Sequence, residues 1–165
     1  MVIATAVATV GSYHTDAKIN QVNKVAATAV AMGVVTFHDP ADDTFKISPT
    51  SQAGLAPFGV TTKAAAAADA KMEVALGGHV IVRADGAIAP GNYVMASAAT
   101  AGEVIEYTRT GAGAPTALQA ADEFRRIIGR YVGKATGNER DGVTITAAAD
   151  GDPIWIELGA GQGGL

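Results

Sequence analysis

The side chains with chemical reach in this 165-residue sequence are few and scattered. Its three histidines, His14, His38 and His79, are separated by long stretches, and none has the short i, i+4 spacing that puts two imidazoles on one metal. The acids fall into turn-like strings: Asp39, Asp42 and Asp43 in HDPADD, Glu139 and Asp141 in NERDG, Asp150 and Asp152 in ADGDP. Such oxygen sets could hold a hard cation, but a calcium loop needs a longer, fixed spacing, and Asp-Pro and Asp-Gly pairs are ordinary turn chemistry. A hydrolase could be imagined on two separated carboxylates such as Asp39 and Glu103, yet nothing in the sequence sets them across a cleft. No G-x-S-x-G elbow is present, and the G-x-G-x-x-G of GAGQGG (159–164) closes the chain, with no room for the helix that would bind a pyrophosphate. With no cysteine there is no disulfide, thiolate site or thiol nucleophile. The expectation is a protein with no catalytic, cofactor-binding or metal-binding residues.

Charge excludes another class. Twelve basic residues against sixteen acidic ones give a net charge of −4, the wrong sign for a phosphate-backbone binder. Arg125, Arg126 and Arg130, the densest basic group, are interrupted by apolar residues and read as a solvated strand edge or a salt-bridged face. The N-terminal MVIATAVATVGSYH lacks a basic leader and is too short and polar to span a bilayer, so assembly in the cytoplasm is expected, with neither nucleic acid nor membrane as partner.

Since no site organises the chain, its elements must. Nine short runs rich in β-branched residues and bounded by turn formers read as strands: 34–37, 44–48, 58–62, 79–84, 92–96, 103–107, 126–132, 143–146 and 154–158. They predict a mainly β protein, a small barrel or sandwich, with its interior built from Val, Ile and Ala because aromatics make up only 5%. Three stretches suggest short helices. Ile19, Val22, Ala26, Ala29 and Met32 approximate a helical period over 16–32, where an extended arm is the alternative; KAAAAADAK (63–71) has high helix propensity; and Thr116 and Gln119 stand at capping-box spacing.

The chain also repeats itself. AMGVVTFHDPADDTFKIS (31–48) aligns with APGNYVMASAATAGEVIEY (89–107), PFGVTTKAA (57–65) with IIGRYVGKAT (127–136), and GGHVIVRADG (77–86) with GDPIWIELGAG (151–161). The shared order predicts a duplicated β-module within one compact domain: an N-terminal arm over 1–30, a first module over 31–88, and a second over 89–165 ending in a Gly-rich tail.

These blocks carry a likeness to a family. GVVTFHDPADDTFKIS with PFGVTTKAA, and APGNYVMASAATAGEV with RRIIGRYVGKAT and DPIWIEL, resemble the capsid cement or head-decoration proteins of tailed bacteriophages over about residues 31–158. The resemblance implies a structural protein on the capsid exterior at junctions between major capsid protein subunits, stabilising the shell, commonly as a homotrimer and without catalytic residues. A head-fibre or adhesin-type attachment domain is the alternative, since it shares the same β-rich composition. Outside the modules, the β-branched run holding Val2, Ile3, Val7 and Val10 is the candidate capsid-contacting arm, with a terminal strand of its own domain as the other reading.

Overall fold

The computed structural model describes Gly11 and residues 20–38, 46–48, 56–108, 125–135 and 145–159. Nine strands build it: β1 (Asn20–Ala26), β2 (Val35–His38), β3 (Lys46–Ser48), β4 (Gly59–Lys63), β5 (Lys71–Arg83), β6 (Tyr93–Ala96), β7 (Val104–Glu106), β8 (Ile127–Lys134) and β9 (Pro153–Leu158). They hydrogen-bond in the order β1-β3-β2-β4-β5-β9-β8-β6-β7, and β1 also pairs with β5. The architecture is mainly β, as expected from the turn-bounded runs, and forms a nearly closed, predominantly antiparallel barrel arrangement.

Two rings share the long strand β5. In the first, β1 pairs with the Lys71–Gly77 half of β5, β5 with β4, β4 with β2, β2 with β3, and β3 returns to β1 in parallel. In the second, the Gly78–Arg83 half pairs with β9, β9 with β8, β8 with β6 and β6 with β7; a parallel bridge from Ala84 to Val104 closes the circuit. Each ring thus satisfies edges that would otherwise be left open.

The two circuits agree in detail. Val30 bridges Ala65 and Ile88 bridges Ala148. Ala26 N–H donates to the Ala70 carbonyl while Asp69 N–H donates to Ala26; Ala84 N–H donates to Asp152 while Gly151 N–H donates to Ala84. The matched residues 26 and 84, 30 and 88, and Gly33 and Gly91 all differ by 58 positions. Gly33 (φ 70°) and Gly91 (φ 78°) each make the turn into the next strand with left-handed backbone that a side chain would disfavour. Ala31-Met32-Gly33 and Ala89-Pro90-Gly91 thus turn the chain in the same way. The third block is out of step by one strand. β9 corresponds to the Lys71–Leu76 part of β5, and HVIVRA corresponds to β1, so the second ring begins ahead of residue 89.

Local propensity yields to pairing at two places. KAAAAADAK is not helical: Ala65 exchanges both backbone hydrogen bonds with Val30 at 2.9 Å, and a turn over 66–69 leads into β5. An alanine run this short nucleates poorly, whereas these bonds join it to the sheet. Residues 20–26, read as helix or arm, are strand β1, because Val22 and Ala26 pack with buried Met72 and Val74 inside the first ring. Ile145 and Thr146 of the expected strand 143–146 carry no ladder; the Thr146 carbonyl instead accepts the Tyr131 hydroxyl at 2.8 Å. The Thr116–Gln119 capping box lies outside the described residues.

Val80, Val82, Val94, Ile128, Ile154, Ile156 and Leu158 fill the second ring, and Val35, Phe37, Val60 and Ala75 of the first ring join the same cluster. Burial of side chains this size stabilises by about 1.5–3 kcal/mol each before conformational entropy is set against it. The rings share this cluster, and the first ring encloses another of its own, Ala26, Val30, Ala65, Met72 and Val74.

Candidate functional site

Polar side chains concentrate at two places. The first is the seam that closes the second ring. Asp85 follows β5, Glu103 precedes β7 and Asp150 lies in the turn before β9, with carboxylate oxygens all within 4.8 Å of one another. Asp85 N–H donates to Val104 O at 2.7 Å, and its carboxylate accepts the Ser97 hydroxyl. The same hydroxyl oxygen accepts Ala99 N–H and Thr100 N–H, both at 3.0 Å, which folds the β6–β7 connector. Arg83 stands 3.8 Å from Glu103 and donates to Gly151 O at 2.9 Å. Burial pushes the Glu103 carboxyl above its ordinary range; Arg83 opposes this, and Asp85 and Asp150 add to it. The carboxylates converge because the strand ends converge there, and their partners are the groups that close the ring. Glu103 thus gains carboxylate neighbours, but Asp39, its companion in the hydrolase reading, lies outside the described residues.

The second place is an open hollow of about 410 Å³ on the first ring, lined by Asn23, Lys24, Val25, Lys63, Lys71, Met72 and Glu73. Cross-strand register sets Lys63, Glu73 and Asn23 in one row over β4, β5 and β1. Lys63 reaches Glu73 at 3.9 Å with both side chains substantially exposed, and Lys24 sits 4.7 Å from the centre of the Phe58 ring. Nothing in the spacing of Lys24, Lys63 and Lys71 along the sequence marks them as neighbours. Ring closure between β1 and β5 brings them together.

No family model matches the chain, and no curated protein does. Among solved structures, it is similar to the head fiber gp8.5 N base of bacteriophage phi29, with a TM-score of 0.53 and 14% identity over 86% of this chain and 94% of that chain. The likeness shows a shared fold. It spans nearly the whole of that base domain and both rings here.

The remaining sequence candidates fall as follows. Arg130 pairs with Glu157 at 3.0 Å, the salt-bridged face read from the arginine group, and Arg125 and Arg126 lie exposed ahead of β8. His79 is paired in register with Glu157, and His38 packs edge-on to Phe58 at 4.7 Å between ring centres. Asp152 caps its own turn by accepting Ala149 N–H at 2.9 Å and meets Lys134 at 3.0 Å; these contacts hold its carboxyl below the usual range. His14, Asp39, Asp42, Asp43, Glu139, Asp141, residues 160–164 and the arm residues Val2, Ile3, Val7 and Val10 lie outside the described residues. Gly11, the next residue along, is described: it is buried, and its N–H donates to Ile81 O at 2.8 Å.

Proposed function

We propose that this chain is a structural protein of a tailed-phage head, docked on the outer surface of the shell as the base domain of a head fibre or a similar attachment. The observation that carries the reading is the fold likeness to a head-fibre base over 86% of this chain. A cysteine-free β-domain in which Asp85, Glu103 and Asp152 are engaged at its own seam and turn suits that role. Its partner is the major capsid protein, with the chain as a homotrimer on the virion exterior. The full chain should co-sediment with mature shells in stoichiometric amount and come off as a defined oligomer; failure to bind purified shells overturns the reading. Capsid cement is the finer variant of the same role. If it holds, shells stripped of the protein should release their DNA at lower temperature, whereas a fibre base should leave shell stability unchanged and lower attachment to cells.

The arm enters here. With Gly11 held against Ile81, residues 1–10 precede an anchored point. Their removal should abolish shell binding and leave the circular dichroism spectrum intact; undiminished binding excludes the arm as a shell contact.

A further inference from the structure

The same outward position is treated in opposite ways by the two rings. In the second ring the row equivalent to Lys63–Glu73–Asn23 is Gly133–Trp155–Ile81. It is closed: Ile81 is 0% exposed and Trp155 8%. Gly11 N–H also donates to the Ile81 carbonyl, at 2.8 Å. In the first ring the matching row is open. Ile81 is replaced by Asn23, and the hollow beside it is rimmed by Lys24, Lys63 and Lys71, against the single carboxylate of Glu73 among the described lining residues. Lys24 rests on an aromatic face, so its charge is held in place without a carboxylate. Val25, half-buried, supplies apolar lining, and Met72 beneath it is buried in the first ring.

We propose that this hollow is a docking site for an extended acidic segment of a partner protein. Its carboxylates would meet Lys63, Lys71 and Lys24, and its alternate side chains would point away from the hollow. Two observations favour that occupant. The local charge is positive on a protein of net −4, which selects an acidic partner and repels further copies of this acidic chain. An extended strand turns alternate side chains to one face, so every second residue of an acidic segment can meet the lysines together. Exposed ion pairs of this kind are individually weak, so specificity would come from several together.

The test needs no shell. The full chain is titrated with a fluorescently labelled, end-blocked octapeptide of alternating Asp and Val, and anisotropy is read at low and high salt. Saturable binding is expected, at least tenfold weaker in K63E/K71E and tenfold weaker with salt raised from about 50 to 500 mM, while R130E, on the second ring, binds as wild type. K63Q/K71Q, which removes charge without reversing it, should fall between, and both double variants should keep the wild-type melting temperature. No saturable binding, equal binding of the Lys-Val counterpart peptide, indifference to K63E/K71E, or an equal loss in R130E would each overturn the proposal. These outcomes are independent of whether the protein binds a phage shell.

Discussion

The first and second rings have the same ladder and nearly opposite outer faces. In the first, the row Val35–Val60–Ala75 is fully buried and belongs to the core shared with the second ring, while Lys63–Glu73–Asn23 lies open. In the second, the row matching the buried one is Tyr93–Arg130–Glu157–His79; Tyr93 is 43% exposed and Arg130 pairs with Glu157 at the surface. The row matching the open one holds Trp155 and Ile81 and is buried. Backbone pairing is indifferent to such exchanges, because each strand shows one set of side chains inward and the other outward. Keeping the inward set apolar preserves the ring. The outward set is then free to become an inter-ring contact in one copy and a charged surface in the other.

The two ring interiors offer the strongest way to break the comparison. Ile156 and Val74 occupy matching positions, and both are 0% exposed. Ile156→Ala should cost about 4 kcal/mol and Val74→Ala about 2 kcal/mol in urea titrations, in one cooperative transition for both. Two separate transitions would show that the rings fold independently despite the joint core. Next come the close-approach glycines, Gly59 and Gly129. A Cβ on Gly59 would stand 2.4 Å from the Ala75 carbonyl oxygen, and one on Gly129 would stand 2.4 Å from that of Glu157. Because backbone cannot yield as a flexible side chain can, Gly59→Ala and Gly129→Ala should each cost about 3 kcal/mol. A large gap between the two by the same titration would break their equivalence.

Acid titration separates two carboxyls of the second ring by sign. Asp152 has a lowered pKa, so its contribution is present above the unfolded carboxyl range of about 4 and fades as pH falls through the lower folded value. Asp152→Asn should therefore cost less than about 1 kcal/mol at pH 7, since the pair with Lys134 is partly solvated, and nothing near pH 2. Glu103 has a raised pKa, meaning that the fold disfavours its charged form. Glu103→Gln should stabilise the protein at pH 7, and the gain should vanish as pH falls below the unfolded glutamate range. Melting temperatures across pH 2–7 check both; a loss of stability in Glu103→Gln at pH 7 would mean the contact with Arg83 outweighs burial.

Legibility followed the range of the interactions. Eight of the nine strands overlap β-branched runs read from the sequence, because alternation and turn residues act over a few positions. β1 was hidden, since NQVNKVA has few apolar residues, and only ring closure against β5 gives Val22 and Val25 their partners. The constant offset of 58 between NQVNKVAATAVAMG and GHVIVRADGAIAPG was the signal that would have found it. The acidic seam left no mark either: Asp85, Glu103 and Asp150 lie 18 and 47 residues apart, and the Ala84–Val104 bridge draws their strand ends together.

By itself the sequence determined a β-rich chain of short strands, a turn glycine at matched places in two similar stretches, and the lack of any recognisable catalytic motif. These follow from local sterics and from side-chain periodicity, which need no distant partner. Only the tertiary structure decided that the two stretches share one strand, which outward row each ring buries, and that three lysines from β1, β4 and β5 border one hollow. Those outcomes depend on which strand ends meet, and that choice is made by the packing of both rings around a common core.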